Sequence, residues 1–155
     1  MSRFPLKGGC FCGAVRYELL APALSVQHCH CGRCRKLTGT FMGSGAVVRK
    51  ADLKITGEEN LTRFRSSPSF EGRFCKICGS GLFEYEDSEP DLMYLNPGSL
   101  DDGAHPGHPP EKEYHIYVRS KVSWETIADG LPQYETSSPD EIITETQRGS
   151  GDVTT

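Results

Sequence analysis

The chain has 155 residues, of which 36% are hydrophobic and 25% charged, with a formal net charge of −4. That length suits one domain with its own core, at about 100 to 200 residues per domain, and the negative balance gives no general attraction to nucleic acid. No stretch approaches the roughly 18 apolar residues of a membrane-spanning helix, and Met1 to Gly9 lack the apolar run of a secretory signal, so a cytoplasmic protein with neither a membrane nor a nucleic-acid partner is expected.

Cys10-Phe11-Cys12 is the first of three cysteine groups. After it, Val15, Tyr17 and Leu19 alternate with charged residues at the period of a half-buried strand. Beyond Pro22, Leu24, Val26 and His28 alternate again and lead into Cys29-His30-Cys31-Gly32-Arg33-Cys34, where Gly32 permits a tight turn that brings Cys34 back towards Cys29 and Cys31. Arg35 to Gly39 reads as a short helical turn, and Phe41 to Val48 as a strand in which Gly43 and Gly45 mark a bulge or a close backbone approach. Leu53 to Ile55 and Leu61 to Arg65 read as short strands, with Gly57 to Asn60 as a turn between them.

Ser66 to Ser69 is a loop, after which Phe74 leads into the third group, Cys75-Lys76-Ile77-Cys78. Leu82 to Tyr85 and Leu92 to Leu95 are extended, Pro97 to Pro110 is an aperiodic Gly/Pro/Asp loop carrying His105 and His108, and Tyr114 to Val118 is the last strand. Trp124 to Ala128 reads as a helical turn closed by Gly130. Phe41, Phe83, Tyr94, Tyr117 and Trp124 are expected in the core, while Ser44 and Asn96, polar positions within apolar stretches, are candidates to face a pocket. Residues 1–135 form the expected zinc-binding β domain. Residues 136–155 are a polar tail, either mobile or a short helix opened by the capping-box spacing Ser138-Pro139-Asp140-Glu141.

An odd count of seven cysteines in a reducing compartment argues against a disulfide framework and for metal ligation. The slightly low apolar content gives bound metal a further stabilising role. Seven thiols divide into four and three, the ligand numbers of a closed structural zinc and of a zinc with one position open. Two partitions satisfy the spacing. Cys31 and Cys34 can join Cys75 and Cys78 as a zinc ribbon, or Cys10 and Cys12 can join Cys75 and Cys78, which leaves Cys29, Cys31 and Cys34 as a local three-thiolate site and uses every cysteine.

The segments Gly9 to Tyr17, Cys29 to Gly39 and Phe74 to Ser80, with the closing stretches His115 to Lys121, Trp124 and Asp129 to Tyr134, resemble the glutathione-dependent formaldehyde-activating enzyme family, also called centromere-protein-V-like or the GFA domain. The resemblance covers most of residues 5 to 135. It implies a mainly β fold of several small twisted antiparallel sheets around zinc knuckles, with short helical turns. It matches Cys10, Cys12, Cys75 and Cys78 to structural zinc ligands and Cys29, Cys31 and Cys34 to the ligands of an open catalytic zinc, making two zinc ions per chain. It also implies carbon–sulfur lyase chemistry, the reversible joining of glutathione and formaldehyde as S-hydroxymethylglutathione.

That chemistry suits a three-thiolate zinc, which carries a formal charge of −1 and accepts a fourth ligand such as a thiol, whose pKa falls on coordination. His30, or His28, is a candidate proton shuttle. Arg33, Arg35 and Lys36 are candidates to offset the anionic centre or to receive a substrate carboxylate. His105 and His108 are candidates to supply a ligand or gate the site. The alternative function is a non-catalytic, zinc-stabilised interaction module, and the sequence fixes no oligomeric state.

Overall fold

The computed structural model describes residues 3–138. Ten strands and one helix follow in chain order: β1 (Leu6–Gly9), β2 (Arg16–Leu19), β3 (Ser25–Cys29), α1 (Gly32–Thr38), β4 (Gly43–Arg49), β5 (Leu53–Thr56), β6 (Leu61–Arg65), β7 (Phe70–Cys75), β8 (Gly81–Glu86), β9 (Leu92–Leu95) and β10 (Glu113–Ile116). Short 3-10 turns fill several connections. The expected mainly β architecture is present as two sheets, one of three strands in the order β1-β2-β5 and one of seven in the order β10-β3-β4-β9-β8-β7-β6. Every named pair is antiparallel except β10 with β3, which is parallel.

Alternation along the large sheet sends successive side chains to opposite faces. One set, Val26, Ala46, Val48, Met93, Leu95 and Phe83, joins Leu6, Val15, Tyr17 and Leu19 of the small sheet region in a single core. The Tyr17 and Phe83 rings meet there edge-on at 5.6 Å. Fully burying a side chain of this size contributes about 1.5–3 kcal/mol, so this layer is the main apolar support of the fold. The other set, Cys29, Val47, Tyr94 and Phe70, forms a second cluster with Cys31, Tyr114, Ile116 and Tyr117.

Several expectations are corrected. The helix begins at Gly32, so Cys34 returns towards Cys29 and Cys31 within the first turn of α1 rather than by a tight turn at Gly32. Of the two readings of Gly43 and Gly45, the bulge is not formed, since the register along β4 is continuous and the irregularity lies between Arg73 and Phe74. The close approach is found: a Cβ at Gly43 would lie 3.2 Å from Cys34 Cβ and one at Gly45 3.3 Å from the Tyr94 ring. Residues 124–128 form no helix, and Trp124 is 72% exposed, resting edge-on against Phe41 rather than entering the core. Strand β1, paired with β2, is an element the sequence pattern had not marked. The proposed tail helix beyond Ser138 falls outside the described residues.

Candidate metal centre

The structure brings the seven thiols into two groups, Cys10 with Cys12, Cys75 and Cys78, and Cys29 with Cys31 and Cys34, the sulfurs of each group lying within 4.8 Å of one another. The ribbon partition, with Cys31 and Cys34 beside Cys75 and Cys78, is not formed.

The four-cysteine group ties the two sheets together. Cys10 follows β1 and is turned by Gly13 N–H donating to Cys10 O and Cys10 N–H to Val15 O, at 3.2 and 3.0 Å. Cys75 ends β7, and Gly79 N–H returns to its carbonyl at 2.8 Å. Phe11 N–H reaches Ser80 Oγ at 2.9 Å, joining the two knuckles. The Cys10–Cys12 and Cys12–Cys75 sulfur separations are 3.6 and 3.8 Å. A tetrahedral zinc with sulfur bonds of about 2.3 Å has edges of about 3.8 Å, so this donor set fits the ion.

The charge pattern fits too. Burial would raise the Cys10 thiol, but the Val15 N–H and the Cys12 and Cys75 thiols outweigh it and hold it low. Hydrogen bonds from Ser80 bring Cys78 down to about 5. For Cys12 the Ala14 N–H works downward, yet burial and the neighbouring sulfurs prevail and push it up to about 11. Four sulfurs this close share negative charge poorly until a cation joins them.

The three-cysteine group is assembled at a strand-to-helix junction. Cys29 ends β3, and Cys31 is the N-cap of α1, its sulfur accepting from Cys34 N–H at 3.4 Å. Gly43 of β4 lies so near that a Cβ there would sit 3.2 Å from Cys34 Cβ, and only its absence lets α1 approach the strand at this distance. Hydrogen bonds from Cys29 and Cys34 hold Cys31 well below the usual thiol range, while the same contacts, with burial, raise Cys34. Contact with Cys31 raises Cys29 as well. Three soft sulfur donors in one group, unable to ionise together, suit zinc.

Beside this group is a cavity of about 230 Å³ lined by Cys29, Cys34, Arg33, Phe70, Tyr94 and Glu84 among others. Cys31 is only 1% exposed and does not line the cavity. Arg33 is buried and places its guanidinium 5.2 Å from the centre of the Phe70 ring. Ser44 and Asn96 line the cavity, as their polar character within apolar stretches led us to expect.

Other expected residues lie elsewhere. Arg35 and Lys36 do not line the cavity, because the helical period carries them away from the wall that Arg33 faces. His30 is fully buried and its Nε2 lies 2.8 Å from His115 Nδ1, while His115 Nε2 meets Asp129 Oδ2 at 2.8 Å. These three line a separate cleft. His28 lies between Ser44 Oγ and Glu113 Oε1, at 2.7 and 2.9 Å, and His108 holds the other Glu113 oxygen at 3.0 Å. His105 is exposed and stacks on His108. The histidines thus brace the β3–β10 side and none lines the cysteine cavity.

The sequence reading had passed over Glu84 and Gln27. Glu84 interrupts the apolar stretch Leu82 to Tyr85 just as Asn96 follows Leu92 to Leu95, and that was its available signal. Burial raises its carboxyl above the usual range, against the pull of Arg33 and with a further push from Cys31. Gln27 also lines the cavity and is 4% exposed, and its buried side-chain oxygen has no hydrogen-bond partner among the described residues.

The family described as glutathione-dependent formaldehyde-activating enzyme matches residues 5–120. A Halomonas elongata protein provisionally named for that activity is 30% identical over 133 residues, 79% of this chain and 80% of its own length. A Schizosaccharomyces pombe protein named as an uncharacterized lyase is 28% identical over 78 residues, 50% of this chain and 55% of its own. A Rhodobacter sphaeroides protein of known crystal structure is similar with a TM-score of 0.53 and 30% identity, over 65% of this chain and 92% of that one. The protein belongs to the glutathione-dependent formaldehyde-activating enzyme family.

Proposed function

We propose that the protein is a zinc-dependent carbon–sulfur lyase that makes and cleaves a thiol adduct of a small carbonyl compound, glutathione and formaldehyde being the leading pair. The observation that carries this reading is the three-cysteine group opening onto a cavity while the four-cysteine group is built into the junction of the sheets. In it, Cys10, Cys12, Cys75 and Cys78 hold a structural zinc and Cys29, Cys31 and Cys34 a catalytic one, within a single cytoplasmic domain of residues 1–135. A zinc held by these three thiolates would supply a Lewis-acidic position that favours the thiolate form of a thiol substrate near neutral pH.

The chain's own residues do the rest. Arg33 puts a fixed positive charge beside the sulfur cluster, where it offsets the thiolates and attracts an anionic thiol substrate. Leu37, Phe70 and Tyr94 give the cavity apolar walls that limit competing water. A volume of about 230 Å³ accommodates a thiol methylene and a one-carbon aldehyde but not a whole tripeptide. An adjoining groove of about 560 Å³ shares Leu37, Thr38, Ser66, Glu84 and Asn96 with the cavity and offers room for the remainder.

The test is magnetisation-exchange NMR with isotope-labelled formaldehyde and glutathione, comparing the interconversion rate of free and adduct carbon with and without zinc-loaded protein. Acceleration over the spontaneous rate is expected. Rates equal to background with protein of full metal content would overturn the reading.

A further inference from the structure

We propose that Glu84 is the proton-transfer residue of the three-cysteine cavity, an inference that rests on the adduct chemistry above. Among the described residues lining the cavity, Glu84 is the one carboxylate and no histidine accompanies it. The neighbouring acids are engaged: Glu71 accepts from Arg73 Nε at 2.9 Å, and Glu86 accepts from Ser69 Oγ at 3.5 Å. Among the described residues no hydrogen bond or ion pair holds the Glu84 side chain, which is therefore available to a ligand. Its position is set by β8, where it pairs with Tyr94 of β9 and Gly72 of β7. Gly72 has no side chain to cover it, and Tyr94 lines the cavity at its side.

The reaction needs such a group. In the forward direction the thiol S–H bond breaks and its proton passes to the Glu84 carboxylate. The sulfur electron pair forms the S–C bond, the carbonyl π bond opens onto oxygen, and Glu84 returns the proton to that oxygen, giving the hydroxymethyl thioether. In reverse, Glu84 takes the hydroxyl proton, the C–S bond breaks, and the sulfur recovers the proton. No net oxidation occurs and the carboxylate is regenerated. A carboxyl whose pKa is raised by burial is better matched to this exchange than a solvated one. The charged and titratable groups around it are Arg33 and Cys34 from α1, Cys29 from β3, Cys31 at the N-cap, Tyr94 from β9, and Arg73 from β7 on the groove side.

The test compares zinc-loaded wild type with Glu84→Gln and Glu84→Asp in the labelled-formaldehyde exchange, with zinc content and glutathione affinity measured on the same samples. Glu84→Gln is expected to lower turnover about 100-fold or more, to flatten the acidic limb of the pH–rate profile, and to leave zinc content and glutathione affinity within about twofold; Glu84→Asp retains part of the rate and the limb. Wild-type turnover in Glu84→Gln, or a loss that follows its zinc content, overturns the role of Glu84 alone. Failure of wild type itself to accelerate exchange overturns the adduct chemistry and this role with it.

Discussion

His30 Nε2 lies 2.8 Å from His115 Nδ1, and this contact commits the imidazole between two candidate metal ligands to a cleft separate from the cysteine cavity. A histidine flanked by cysteines in sequence is thus not at their service in space. Burial holds its pKa down to about 4 from an ordinary 6.5, with His115 and His28 adding like-charge repulsion.

Stability should therefore fall in acid through this residue. Between pH 6.5 and about 4 the unfolded chain takes up a proton that the folded chain resists. Asp129, held low by its hydrogen bond to His115, acts with the same sign, and its share is lost as pH falls through its lowered pKa. Thermal unfolding across this range should cost wild type more than His30→Asn, metal loss being common to both. Equal losses would contradict the assignment.

Arg33 and Lys36 should differ sharply although they lie on one short helix. Arg33→Ala removes the buried charge over Phe70 and is expected to raise the KM for glutathione about tenfold or more. Lys36→Ala removes a solvated charge outside the cavity and should stay within about twofold. Steady-state kinetics on both variants check this, and similar KM values would place the anion elsewhere.

Gly43→Ala should disturb one metal site and not the other. Its Cβ would lie 3.2 Å from Cys34 Cβ and 3.7 Å from Cys34 Sγ, so the helix or the sulfur must give by a few tenths of an ångström. Chelator competition should show the weaker-binding zinc losing about tenfold in affinity, with the four-cysteine site unchanged. Unchanged affinity at both sites would mean that α1 adjusts freely.

Much of this was legible in the sequence because half-buried strands alternate. Val15, Tyr17 and Leu19, and then Leu24, Val26 and His28, announced their strands by period two. β1 escaped notice because Lys7, Gly8 and Gly9 carry no β-branched or aromatic signal. Gly8 is nevertheless required, since a Cβ there would fall 2.3 Å from Tyr17 Oη. Trp124 was misplaced because large aromatic residues usually fill cores, whereas here it packs on Phe41 at the surface. Spacing left the cysteines divisible in two ways, because which knuckles meet depends on the small sheet packing over the large one. Glu84 was hidden for a similar reason: a polar residue on a strand reads as solvent-facing until the cavity it shares with Arg33 and the cysteines is seen.

Binding should depend on a free thiol. Titrating zinc-loaded protein with glutathione and with S-methylglutathione, followed by calorimetry, is expected to give affinity at least tenfold lower for the thioether, which has no proton to lose and forms no thiolate. Equal affinities would mean that recognition lies in the peptide portion alone.

The division of the seven thiols into a four-ligand site within the fold and a three-ligand site at the cavity is tested most directly by native mass spectrometry of wild type beside Cys31→Ser. The account predicts two zinc ions in wild type, one in Cys31→Ser, and the same compact charge-state distribution for both. One zinc in wild type that is lost altogether in Cys31→Ser would contradict it.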